Sequence, residues 1–242
     1  MANLELKKLD KRFENLKKIQ SVFLNCYYNS SDTNELFSAL NSNQRTDFSR
    51  YNYFHASYAI SIGKINEAKS IVQSALKLYP RNLLLNQYKI DLNELKNIDA
   101  FDCRKEKHVA AEILYITANA LSSQSLYSLS NFYLNLAKFL NEDFHSFETL
   151  LAENFYKTNN FEDAKKIYKN LSKKGEAFKW YSTKQLARIF IQEKKTKDAI
   201  KLTSSVYKDL INKEVYETFD FAEFLKNNEK FQEAIFHYTA VL

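Results

Sequence analysis

The chain has 242 residues, a formal net charge of +6, and only two glycines, one proline and two cysteines. So few turn formers leave little room for tight β-hairpins and set the expectation of an all-α chain, while plentiful Lys and Asn with little Arg fit an A/T-rich genome. With glycine confined to Gly63 and Gly175, a phosphate-cradling loop or a dinucleotide fingerprint is excluded.

The positive excess eases encounter with acidic partners, yet it is spread among lysines that stand beside many glutamates and aspartates, the pattern of solvated helix faces. The residues from Met1 to Lys8 are charged and lack the apolar core of a secretory signal. The most apolar run, Val109 to Leu121, falls short of the roughly 18–20 residues of a membrane span and carries Glu112 and Thr117. As it stands, the chain is expected to be cytoplasmic, with no membrane span. Cys26 and Cys103 lie in unrelated surroundings, so two reduced structural thiols are expected rather than a disulfide or a thiolate metal site.

In chain order, residues 1–48 predict two helices: Leu4 to Tyr28, with Leu6, Leu9, Phe13, Leu16, Ile19, Val22 and Phe23 on one face, and Asp32 to about Leu40. Asp32 with Glu35 has the spacing of a capping box. Residues 49–82 predict a helical hairpin marked by Ala56, Gly63, Ala68, Ala75 and Pro80. Residues 83–110 form an incomplete unit: Leu83 to Leu95 can be a helix, whereas Lys96 to His108 has no sustained apolar period and predicts a loop or short helical turn. Residues 111–144 carry Leu114, Ala118, Leu121, Ser130, Leu134 and Ala137 in matching places.

The last three units, 145–179, 180–214 and 215–242, are the most regular. Ala164, Ala199 and Ala234 recur every 35 residues, and Ala152, Ala187 and Ala222 each stand 12 residues before one of them. Where two antiparallel helices cross closely, a side chain larger than alanine would push the axes apart. Phe155, Phe161 and Tyr168 can then fill the space beside the crossing. The chain stops at Leu242 inside a second helix without a polar cap, which is expected of a fragment of a longer array or of a pairing surface.

This small-residue pattern resembles the tetratricopeptide repeat. The resemblance implies a right-handed superhelical solenoid of antiparallel helix pairs with no β-sheet, in which the first helix of each pair lines a concave, peptide-binding groove. Carried onto this chain, the exposed stripe of that groove would hold Tyr53 and Ser57, then Tyr115 and Asn119. It would continue through Thr149, Glu153 and Tyr156, then Tyr181, Lys184 and Arg188, and end with Tyr216, Glu223, Lys226 and Asn227. Tyrosine gives such a surface broad contact area with a polar handle. Lys184 and Arg188 lie one helical turn apart and could hold a carboxylate or phosphate; the alternative is that they balance Glu153 and Glu223 on neighbouring helices. The full Lys and Asn set of the family's carboxyl-terminus clamps is absent.

Catalysis is not expected, nor is a cofactor or metal. His55, His108, His145 and His237 are scattered, and acidic pairs such as Glu142 with Asp143 and Glu162 with Asp163 suit helix starts. The function expected is a protein–protein interaction scaffold for a peptide or partner protein. The alternatives are RNA binding, for which the repeating polar code and unit-end Gly and Pro of pentatricopeptide repeats are missing, and self-association through the Leu242 end or Phe219 to Leu225.

Overall fold

Every regular element among the described residues is helical. The computed structural model describes residues 5, 6, 8, 10–42, 48–211 and 213–241. Its α-helices are α1 (Glu14–Tyr27), α2 (Thr33–Asn41), α3 (Ser49–Ser61), α4 (Ile65–Leu78), α5 (Leu83–Glu94), α6 (Glu106–Ser123), α7 (Tyr127–Leu140), α8 (Ser146–Lys157), α9 (Phe161–Leu171), α10 (Glu176–Gln192), α11 (Thr196–Asp209), α12 (Val215–Asn227) and α13 (Phe231–Thr239). The chain divides into two compact units, Met1–Phe147 and Glu148–Leu242. Among the described residues no helix is long and apolar enough to cross a membrane.

The hairpins share one turn. Gly63, Ser125, Asn159, Lys194 and Glu229 all adopt positive φ, between 59° and 78°. In each case the next N–H reaches back five residues: Lys64 to Ala59 O at 2.8 Å, Leu126 to Leu121 O at 3.0 Å, Asn160 to Phe155 O at 2.9 Å, Lys195 to Phe190 O at 2.8 Å and Lys230 to Leu225 O at 2.9 Å. This left-handed residue closes the helix by satisfying a terminal carbonyl, and a connection so short folds the next helix back antiparallel. Gly63 is the residue that such a turn prefers, and Asn159 the next most tolerant of it.

Inside each hairpin the small residues meet the second helix. Ala152, Ala164, Ala187, Ala199, Ala222 and Ala234 are all buried. In the second unit Ala152 and Ala164 pack with Tyr168, Leu186 and Ile189, and a second cluster joins Trp180, Tyr207, Leu210, Phe221, Leu225 and Ala234. In the first unit Ser130 of α7 replaces alanine, and its buried hydroxyl donates to Ala118 O of α6 at 2.8 Å, so the exchange leaves no orphaned polar group.

The first unit is closed by aromatic rings. Phe23 of α1 packs at 5.4 Å from Phe54 of α3, and Phe101, from the segment between α5 and α6, lies 4.4 Å from Phe54. The segment therefore anchors itself in the core through Phe101 and Cys103, while Leu95, Lys96, Asn97, Asp99, Arg104 and Lys105 stay exposed. Packing Phe101 carries Cys103 onto α1, where it is bonded to Cys26, with Cα atoms 5.8 Å apart and both residues buried. The expectation of reduced thiols is corrected by this disulfide, whose partners lie 77 residues apart in sequence.

Two expectations near the amino end also change. The first helix is shorter: Asp10 accepts the Arg12 N–H at 2.8 Å and starts a 3-10 turn, Lys11–Phe13, ahead of α1. Leu4 and Leu9 lie outside the described residues, and Phe13 is exposed. Asp32 is the N-cap of α2 but sits in helical geometry with no side-chain cap bond, so the Asp32–Glu35 box is not formed. A reciprocal cap appears instead at α12, where the Glu214 N–H donates to Glu217 at 2.9 Å.

Candidate functional site

In the first unit the expected stripe is largely spent on packing. Tyr53 and Ser57 are buried, not exposed: Tyr53 packs at 4.4 Å from Tyr88 and 5.2 Å from Phe144, and the Ser57 hydroxyl donates to Phe101 O. Tyr115 is half-buried beneath the Arg50 guanidinium, 3.9 Å from its ring centroid, and Asn119 alone of the four is exposed. An apolar groove of about 640 Å³ lies between α1 and α6, walled by Phe23, Leu24, Val109, Ala110 and Ile113, and none of the expected groove residues lines it.

Arg50 organises this region. Its Nε and Nη2 each donate to Glu112 at 2.8 Å, and Nη1 donates to Ser146 Oγ at 2.7 Å. Burial works against charge on both partners. For Arg50, Glu112 more than offsets it and the guanidinium is held well above its ordinary value; for Glu112, burial pushes the carboxyl up and Arg50 draws it only part of the way back. Sequence reasoning missed this pair, although a lone acid inside the apolar Val109–Leu121 run was its signal.

The second unit brings charged residues of its first helices together. The Arg188 guanidinium of α10 sits over the Tyr156 ring of α8, 3.7 Å from its centroid, and its Nη1 donates to Glu153 at 3.3 Å and to Gln185 at 3.2 Å. Tyr168 of α9 donates to the same Glu153 at 3.4 Å. One turn earlier on α10, Lys184 Nζ meets Asp220 of α12 at 2.6 Å. The two bonds span 35 and 36 residues, so successive first helices are stitched together at the repeat period.

Of the expected pairings, Arg188 does meet Glu153, but Lys184 takes Asp220, which sequence reasoning overlooked, in place of Glu223. Glu223 pairs with Lys226 at 2.6 Å and accepts the Tyr238 hydroxyl. Lys226 first, then Tyr238, lower the Glu223 carboxyl below its ordinary range. Tyr181 and Tyr216 are half-buried with partners of their own, Thr149 is half-buried, and Asn227 is exposed.

Two features of Arg188 decide what this face can do. Its side chain is 40% exposed. All its hydrogen bonds use Nη1, so among the described residues Nε and Nη2 take no partner. An aromatic ring below and a carboxylate at one end hold the fork, and its Nε–Nη2 edge makes no hydrogen bond among the described residues. Such an edge is matched to a carboxylate or a backbone carbonyl.

Among the described residues no group of three or more His, Cys, Asp or Glu is placed to hold a metal ion. His55 is engaged within the first unit, its Nε2 2.7 Å from Asn34 Oδ1 and its ring stacked on Phe37 at 5.2 Å. The chain matches no protein-family model and no curated protein sequence.

Proposed function

We propose that the chain is a non-catalytic interaction scaffold of the tetratricopeptide kind, a right-handed solenoid of helix pairs, which receives an extended peptide along the α8, α10 and α12 face of its second unit. The open Nε and Nη2 edge of Arg188 carries this reading. Tyr156 and Glu153 fix the guanidinium before any partner arrives, which lowers the ordering cost of binding. The peptide recognised would present an acidic side chain to Arg188, with apolar contact beside Tyr156 and Tyr181.

Selection from a random-peptide library on the intact chain tests this, with the selected peptides then measured by fluorescence anisotropy. Acidic peptides are expected, with affinity falling about tenfold or more in Arg188→Ala, the worth of one charge-assisted pair, and holding in Lys208→Ala. Equal binding by both variants would sink the reading. Salt-sensitive binding of single-stranded RNA, with no peptide selected, would replace it with the nucleic-acid alternative.

A further inference from the structure

The second helices of the hairpins differ at corresponding positions. Counting from the buried small residue, the positions one before and two and six after it are Asp163, Lys166 and Asn170 for α9, and the position nine after, Lys173, falls just beyond its end. For α11 they are Asp198, Lys201, Ser205 and Lys208. In α7, whose small residue is Ser130, the same positions are Leu129, Phe132, Leu136 and Phe139. These side chains are 47%, 57%, 38% and 76% exposed, while Ser130, Leu134 and Ala137 on the inner face are buried. The face that α9 and α11 give to solvent is apolar in α7.

The order of that stripe is symmetric in position. Leu129 and Phe139 stand five residues either side of Leu134, and Phe132 and Leu136 two residues either side. The 3–4–3 spacing is that of a helix–helix seam. Laid antiparallel on itself, the stripe sets each phenylalanine against a leucine, Leu129 facing Phe139 and Phe132 facing Leu136 of the second copy. A parallel alignment would set like against like and leave unequal layers.

We infer that the outer face of α7 is a self-pairing surface, on which a second copy of the chain docks its own α7 antiparallel about a two-fold axis. Electrostatics permit it where the rest of a +6 chain would resist, because Lys138 is the one charged residue in α7. In the antiparallel pair the two Lys138 residues stand about 12 Å apart along the axis, beyond the Debye length at physiological salt. A lipid surface fits less well, since interfacial helices carry rows of Lys and Arg beside the apolar face. With Leu126, 49% exposed at the start of the helix, the stripe offers about 500 Å² per copy, which puts the pair near the ~1,000 Å² that a weak dimer needs.

Light scattering on the intact chain from about 1 to 200 µM tests the pairing. The wild-type mass is expected to rise toward twofold, and Phe132→Lys/Phe139→Lys, which installs the residues that α11 carries at these positions, to stay monomeric with an unchanged circular dichroism spectrum. Should the double variant fail to fold, the single Phe139→Lys, at the most exposed position of the stripe, gives the same readout. A wild type that stays monomeric, or a variant that still doubles, overturns the inference. So does a monomer that floats with phosphatidylcholine vesicles, which would assign the face to lipid. Mixing Leu129→Cys with Phe139→Cys chains should give a mixed cross-linked pair; cross-linking of each variant only with itself would overturn the antiparallel arrangement.

Discussion

Arg50 and Glu112 meet through two parallel 2.8 Å hydrogen bonds, with the carboxylate fully buried. The pair joins α3 to α6 across 62 residues of sequence, and the third nitrogen of the fork reaches Ser146. Removing one partner strands the other charge in the interior. Glu112→Gln should therefore cost about 3–5 kcal/mol, read as a lower urea midpoint, and Arg50→Met/Glu112→Leu should recover most of that loss. A double variant as unstable as the single one would mean that the geometry of the pair, and not its charge, holds the helices.

The disulfide should matter through the chain it closes. A bond between residues 77 apart restrains the unfolded chain by about 4 kcal/mol. Reduction, or Cys103→Ser, is expected to lower stability by that order and to release the segment that carries Phe101. Hydrogen exchange checks this: amides around Ala100 to Asp102 should lose protection on reduction. No change in exchange would show that aromatic packing alone retains the segment.

The shared turn gives a prediction of opposite sign. Lys194 and Glu229 hold positive φ without glycine, and both are exposed. Lys194→Gly and Glu229→Gly should each gain about 0.5–1 kcal/mol by relieving left-handed backbone. Gly63→Ala should lose a similar amount, although a Cβ there would meet nothing within 4 Å, because its φ is +78°. Urea melts of the three variants are sufficient to check the pattern.

Acid should weaken the fold through His55. Burial lowers this imidazole to about 4, with Glu67 opposing, while the unfolded chain titrates near the ordinary 6.5. Between those values the unfolded chain binds the extra proton, so stability falls as pH drops from 6.5 to 4, by up to about 3 kcal/mol. His108, whose Nδ1 accepts the Asp102 N–H, is also lowered by burial and acts in the same direction. Asp91 opposes them: burial raises it to about 6, so the folded state gains protons there before the unfolded chain does. Asp91→Asn should steepen the acid loss and His55→Gln should flatten it, as read from urea midpoints at pH 4 to 7.

What was legible in the sequence was local. Helical period and alanines at helix crossings depend on residues a few turns apart, so the hairpins from α3 onward could be placed from their own segments. The turns were half-legible: Gly63 and Asn159 suit left-handed backbone, whereas Ser125, Lys194 and Glu229 adopt it with no such preference of their own. Long-range partners were not legible. Cys103 meets Cys26 across 77 residues of sequence, beside the buried Phe101, and Tyr53 is covered by Phe144 and Tyr88, residues with no local relation to it. In the candidate site, the link from Arg188 to Glu153 followed from the 35-residue period, while Asp220 was missed because it stands one residue out of step with it.

The signs along the stitched face alternate. Glu153, Arg188 and Glu223 occupy one position at 35-residue intervals, so a cationic helix stands between two anionic ones. Copying a single hairpin would break that alternation. A tandem duplicate of α10 and α11 would bring arginine against arginine at the new junction, while a duplicate of two hairpins would keep opposite charges facing. Growth by pairs, or by a hairpin whose charges have first been reversed, is the route that this chain's electrostatics favour.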